Sequence, residues 1–387
     1  MGPAVLPDTA LPSHREGRKA TWFELFFDLV FVVAVAQLTG AFAHHYDWSG
    51  ALTFAFAFLA MWWCWLGHTF FATRFDEDRP GQRAMGLVQI LSVAWLGFGA
   101  SDVTGERAWV FASGMAAFKL LLAIAYLACW RWRGARGLIR AYAALYAVQA
   151  LLWAVSIGAG AELRWSLWIG ALLLDLLSPW WVARYTHQVP PHPEHLPERF
   201  GLFTIILLGE GMASVVHALE HGPTLTASAL VAAAGGALLT FMIWIGYFDA
   251  TRAQRERHVA DPRGGRNLRL WAYAHVALYL GVAGLAAGTV YLSGQARLAA
   301  TPQHLFSVGI ALVMVGLSVL GIASDAGARS SVWRRGAIHL GTALAFLGLM
   351  LGLELTHPSQ LLGAAGGVFV LQLALARARP GASTHPI

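Results

Sequence analysis

Charge is scarce in this chain. Asp, Glu, Lys and Arg make up only 12% of the 387 residues, where about 25% is usual for a soluble domain, which argues against a conventional water-soluble surface. Cysteine is nearly absent as well. Cys64 and Cys129 both lie in apolar runs and give neither a metal-ligand spacing nor a disulfide framework. The chain lacks a His-Glu-x-x-His zinc signature, a phosphate-binding glycine loop and a Gly-x-Ser-x-Gly elbow. Its loops are too short to hold a nucleotide-binding domain. No metal, no cofactor and no self-contained ATP-driven pump is therefore expected, and an enzyme is the less favoured class. The net charge of +6 does not point to nucleic acid, because the basic residues sit in short loops and no soluble domain presents a basic face.

Apolar residues are abundant, at 57%, and the mean hydropathy is +0.56. The stretch from Thr21 to Ala43 sets the pattern. It is long enough to cross a bilayer, since about 20 apolar residues rising 1.5 Å each cover a core of about 30 Å. Ala41-Phe42-Ala43 resembles a cleavage site, but the run exceeds a signal-peptide core and is interrupted by Glu24 and Asp28, so an uncleaved first span is expected. Twelve spans follow at roughly 21–43, 49–71, 83–101, 108–130, 138–159, 163–183, 199–219, 225–248, 267–292, 303–323, 333–352 and 359–377. The fold class is thus all-α, a polytopic transmembrane bundle whose first partner is the lipid bilayer. Gly235-Gly236 and Gly366-Gly367 are read as tight helix crossings.

Loop charge gives the orientation. With the N-terminus in the cytoplasm, all but four of the 27 Lys and Arg residues fall on the cytoplasmic side; the exceptions are Arg107, Arg164, Arg297 and Lys119. Both termini are then cytoplasmic. An internal repeat is also visible. Trp65-Leu66-Gly67 and Ala72-Thr73-Arg74 recur as Trp244-Ile245-Gly246 and Ala250-Thr251-Arg252, and Glu24-x-Phe26 recurs as Glu198-x-Phe200. The expected organisation is a cytoplasmic tail (1–20), a six-helix half (21–183), a cytoplasmic linker (184–198), a second six-helix half in parallel orientation (199–377) and a tail (378–387).

A carboxylate in a membrane helix costs about 2.5–3.5 kcal/mol on the insertion scale, so intramembrane polar groups are candidates for function. Glu24 and Asp28 lie one turn apart on one face. Glu24 sits at the N-terminal turn, where the helix dipole alone would favour it; Asp28 is too deep for that. Lys119 and Glu210 fall nearest the midplane, with Asp175, His68 and His275 in the cytoplasmic half. Lys119 pairs with either Glu210 or Asp175 in a purely structural reading, or joins Glu210 in a gate or proton relay. His275 reads either as a hydrogen-bonded core residue or as a proton-handling group.

Phe23-Glu24-Leu25-Phe26-Phe27-Asp28-Leu29-Val30-Phe31-Val32 strongly resembles the bacterial low temperature requirement A (LtrA) family. So do Trp62-Trp63-Cys64-Trp65 with Phe75-Asp76-Glu77-Asp78-Arg79-Pro80, the run His195-Leu196-Pro197-Glu198-Arg199-Phe200 continuing to Gly209-Glu210, and Ala272-Tyr273-Ala274-His275. Gly211 stands where the resemblance leads one to expect Ser. The likeness implies a multi-pass bacterial membrane protein named for growth in the cold, with Phe27, Asp28, Glu198, Arg199, Gly209 and Glu210 as motif residues. The first helix also resembles, more distantly, the endolysosomal potassium channel family marked by Phe-Ser-Asp. The favoured function is an ion or small-solute permease or channel, its solute a monovalent cation, a proton or a small molecule, with oligomerisation left open. Asp28 would orient the first helix or coordinate a cation. The rivals are a membrane-embedded enzyme acting on a lipid or lipid precursor and a non-catalytic, stress-related membrane protein.

Overall fold

The computed structural model describes residues 19–75, 80–186, 188–220, 225–251, 262–324 and 329–377. The expected tails and the acidic stretch 76–79 fall largely outside the described residues. Every described element is helical: α1 (Trp22–His44), α2 (Trp48–Phe75), α3 (Pro80–Ala100), α4 (Ala108–Ala128), α5 (Arg136–Ser156), α6 (Ala161–Trp181), the single turn α7 (Ala183–Thr186), α8 (His195–Glu220), α9 (Ala227–Thr251), α10 (Pro262–Ser293), α11 (Ala300–Ser324), α12 (Arg329–Gly352) and α13 (Pro358–Arg377), with a 3-10 turn at Arg133–Ala135.

Each of the twelve expected spans corresponds to one long helix. Among the described residues, ten of these helices are long and apolar enough to cross a membrane. Helix α6 falls short because it carries Glu162, Arg164 and Asp175; α12 contributes the apolar stretch Gly336–Gly352. Helix α8 begins at His195, a full turn before the expected residue 199. That turn carries part of the functional site.

Polar and apolar surfaces are arranged as a bilayer requires. Leu87, Leu91, Phe98, Leu151, Leu173 and Val216 are exposed, whereas Asp28, Lys119, His195, Arg199 and His275 are fully buried. Helix starts follow local chemistry. Pro80 and Pro358 open α3 and α13, where the missing N–H costs nothing. Asp47 caps α2 by accepting the Gly50 N–H at 2.8 Å.

The chain packs as two compact units. Of the described residues, those within 1–41, 52–206 and 256–269 make the first, and those within 42–51, 207–255 and 270–387 make the second. In the first, α4 packs closely on α3 and α5. Aromatic rings fill the interior: Trp65 lies 4.4 Å from Phe203 and 4.9 Å from Phe200, and Phe118 meets Phe31 edge-on at 5.7 Å. In the second, Gly235 and Gly236 face Leu362 and Thr289 within an unbroken helix, as expected of a tight crossing. Gly366 and Gly367 have nothing within 4 Å and make no such crossing among the described residues.

The α3–α4 contact yields a test. A Cβ at Gly99 would strike the Phe111 backbone, which no side-chain rotation relieves. Gly99→Val is expected to cost about 1–3 kcal/mol as an overpacked contact, read as a lower unfolding midpoint of the detergent-solubilised protein. An unchanged midpoint would show that the two helices separate freely.

Candidate functional site

The site is built on the first turn of α1. The Thr21-x-x-Glu24 sequence forms a reciprocal capping box. The Glu24 backbone N–H donates to Thr21 Oγ1 at 3.2 Å, and the Thr21 N–H donates to Glu24 Oε2 at 2.8 Å. Capping the helix accounts for only part of the carboxylate's contacts. Glu24 is 1% exposed, and its oxygens also meet two cationic or ionisable groups from α8. Arg199 Nη1 donates to Oε1 at 3.0 Å, and His195 Nε2 lies 3.1 Å from Oε2.

One turn deeper, Asp28 is gripped from two sides. Arg199 donates through Nη2 to Oδ1 at 2.6 Å and through Nε to Oδ2 at 3.1 Å, a side-on fork. Trp65 Nε1 donates to Oδ1 at 2.7 Å. One guanidinium therefore clasps two carboxylates, and His195 approaches the first. Facing a carboxylate, His195 Nε2 carries the proton as donor; its Nδ1 is buried and has no partner. With a neutral imidazole the cluster holds two negative charges against one positive. A proton on Nδ1 makes it neutral.

The segment before α8 delivers these groups. Arg74, buried in the last turn of α2, donates to the Val189 carbonyl at 3.0 Å and lies against the Phe70 and Tyr142 rings. The His192 N–H reaches the Thr73 carbonyl at 3.4 Å. His192 Nδ1 then accepts the N–H groups of Glu194 and His195, at 3.3 and 3.1 Å, capping the start of α8. Glu198 accepts the Ala20 N–H at 3.0 Å, tying the first turn of α8 to the residues just before α1.

A cavity of about 340 Å³ borders the cluster. Its polar floor is Glu24, His68 and Gln89, all buried; Phe23, Phe71 and Met85 form apolar walls; exposed Arg83 and Arg131 stand at its rim. His68 is stacked on Phe27 with ring centroids 3.8 Å apart. His68 and Gln89 are near neighbours, and His68 Nδ1 and Gln89 Nε2 are buried without a hydrogen bond of full geometry.

The other predicted residues fall in separate places. Lys119 pairs with Asp175, not Glu210: Nζ lies 2.8 Å from both carboxylate oxygens, with the Tyr146 ring 5.4 Å away. In the second unit, His275 has Nδ1 2.8 Å from the Trp271 carbonyl and Nε2 3.3 Å from the Tyr247 hydroxyl. The carbonyl can only accept, so Nδ1 carries the proton and Nε2 accepts from Tyr247. This satisfies a neutral imidazole within the core. Glu210, also in that unit, is half-buried and makes no hydrogen bond or ion pair among the described residues. Gly211 faces the Thr240 side chain.

Sequence reasoning named Glu24, Asp28 and His68, and held Arg199 only as a motif residue and a loop charge. It missed His195 and Trp65 as partners and Gln89 as a lining residue. The available signal was arithmetic: two carboxylates in one helix require a buried cation, and the motif His195-x-x-x-Arg199 places two candidates one turn apart.

Comparison with known proteins agrees with the motifs. The sequence model described as bacterial low temperature requirement A protein (LtrA) matches residues 19–376. An uncharacterized protein of Rhizobium meliloti (strain 1021) is 24% identical over 321 residues, covering 79% of this chain and 76% of that protein. No solved structure matches. Nothing among these matches supports the resemblance to potassium channels.

The clasp makes a quantitative prediction. Arg199→Met strands two buried carboxylates and is expected to cost about 3–5 kcal/mol. Adding Asp28→Leu to that variant should recover a large part of the loss, because the two groups interact directly. Strictly additive losses in a double-mutant cycle, measured by unfolding in detergent, would contradict the geometry.

Proposed function

The chain belongs to the bacterial low temperature requirement A family, and from that premise we propose that it is a proton-linked permease for a small solute in the bacterial cytoplasmic membrane. The bias of loop charge supports both termini lying in the cytoplasm, and the sequence repeat supports two six-helix halves. The observation that carries the reading is the double membership of Glu24. It belongs to the cluster with Arg199 and His195, and it also lines the cavity floor. Whatever changes the charge of the cluster changes the potential felt by an occupant of the cavity.

The cavity is lined from the start of α1, the end of α2, the start of α3 and the end of α4. Loop charge puts all four at the cytoplasmic face, so the cavity serves as an inner vestibule. A proton taken up on His195 removes the cluster's excess negative charge, and its release restores it. Unit charges a few ångströms apart in a poorly solvated interior interact by several kcal/mol, about 4 at 4 Å with an effective dielectric of 20. Solute occupancy and protonation are then reciprocally linked.

The geometry also shapes the choice of coupled species. Asp28 has both oxygens occupied by Arg199 and Trp65, so a metal cation would have to displace the guanidinium. A proton needs no such displacement. This favours proton coupling over the cation coordination first considered for Asp28.

The test uses proteoliposomes loaded with a pH-sensitive dye and offered a panel of organic anions and cations. Solute-dependent proton entry is expected for the wild type. His195→Gln, which retains a donor for Glu24 but cannot accept a proton, should lose at least about 10-fold of the proton entry while keeping its unfolding midpoint within about 1 kcal/mol. Undiminished proton entry in that variant would remove His195 from the coupling.

A further inference from the structure

The cavity has a chemical character of its own. Two of its floor groups, Gln89 and His68, are buried side by side, and neither Gln89 Nε2 nor His68 Nδ1 makes a hydrogen bond of full geometry within the protein. Buried polar atoms rarely remain unsatisfied, so a ligand or water should complete them. The amide nitrogen can only donate, so it calls for an acceptor. Glu24 does not offer a site for a cation, because Arg199 takes Oε1, and Thr21 and His195 take Oε2.

Between floor and rim the walls are apolar and partly aromatic, through Phe23, Phe71 and Met85. The rim carries Arg83 and Arg131, both exposed. Each guanidinium has interactions of its own within the chain, and each also has five N–H donors in a fixed fork suited to carboxylate. A volume of about 340 Å³ stands at the small end of ligand pockets, which run from about 300 to 1,000 Å³.

From this sequence of donors, apolar wall and cationic rim, we propose that the cavity binds a small amphiphilic carboxylate: its anionic head at Arg83 and Arg131, its apolar body between Phe23, Phe71 and Met85, and any second acceptor at Gln89. As a statement about the transported solute it rests on the permease reading; as a statement about a binding site it does not. The anion would also supply the link to the cluster, since it is repelled by the excess negative charge near Glu24 and tolerated once His195 is protonated. The acid could come from the aqueous side as a short aromatic acid or from the bilayer as a fatty acid. The chemistry is the same, and the volume favours the shorter.

The experiment measures binding of radiolabelled benzoate to the purified full-length protein in nanodiscs of uncharged lipid, with empty nanodiscs subtracted. Saturable binding is expected, weakened at least about 10-fold by Arg83→Gln with Arg131→Gln; 4-hydroxybenzoate, whose hydroxyl offers Gln89 a second acceptor, should bind more tightly than benzoate, and Gln89→Leu should remove that difference. Ala128→Phe, which fills the mouth from an exposed position, should abolish it while circular dichroism and gel-filtration profiles stay unchanged. Benzylamine, of similar shape and opposite charge, should not bind saturably. Palmitate binding that Ala128→Phe removes, without benzoate binding, would uphold the site and assign its ligand to the membrane. The proposal is overturned if neither acid binds saturably, if benzylamine binds as well as benzoate, or if Ala128→Phe binds like the wild type. Binding without proton-linked flux would sink the permease and leave the site. Flux without binding of either acid would do the reverse.

Discussion

One guanidinium holds the first unit's interior together. Arg199 is fully buried, and it donates hydrogen bonds to both Asp28 and Glu24. In a medium that solvates charge poorly, each of these groups would be prohibitive alone. Together they are tolerable, so the helices that carry them cannot choose their positions independently. Helix α1 must present Glu24 and Asp28 on one face, and α8 must start early enough to place Arg199 opposite. Trp65 fixes α2 against the same carboxylate. Three helices from distant parts of the sequence are thus brought into one register by satisfying two acids.

The segment leading into α8 is organised by the same need. Arg74 is a second buried cation, yet its counterparts are a backbone carbonyl and aromatic rings rather than a carboxylate. Its Nη1 has no hydrogen-bond partner. That is a costly way to use a charge, and its effect is positional: Arg74 holds Val189 while the neighbouring Thr73 carbonyl receives His192. His192 then caps α8 with its ring nitrogen. A chain of short-range contacts from the end of α2 therefore sets where His195 and Arg199 emerge.

The fold was largely legible because hydropathy is a one-dimensional property of the sequence. Runs such as 49–71 and 303–323 are apolar over the length a bilayer demands, and the helices at Trp48–Phe75 and Ala300–Ser324 follow. The site was legible only in part because pairing is a property of three dimensions. Asp28 announced itself by being acidic in an apolar helix. Arg199 did not, since an arginine next to Glu198 and four residues after His195 begins the helix looks like one more positive residue at a cytoplasmic boundary. The same limit governed Lys119, for which Glu210 and Asp175 were equally plausible on depth alone. Gln89 was invisible for another reason: an amide in an amphipathic turn is ordinary until a cavity is seen beside it.

The two buried ion-pair sites also differ in a way that bears on function. Lys119 and Asp175 meet with one charge of each sign, both carboxylate oxygens at 2.8 Å from Nζ. That pair is complete, and its value is to let two helices carry charge past lipid without net cost. The Arg199 cluster is not complete in this sense. Its two acids outnumber its one arginine, so with both acids ionised and a neutral imidazole it carries an excess negative charge that one added proton would remove. Its Glu24 carboxylate also borders a cavity. A structural pair needs neither property, and a coupling device needs both.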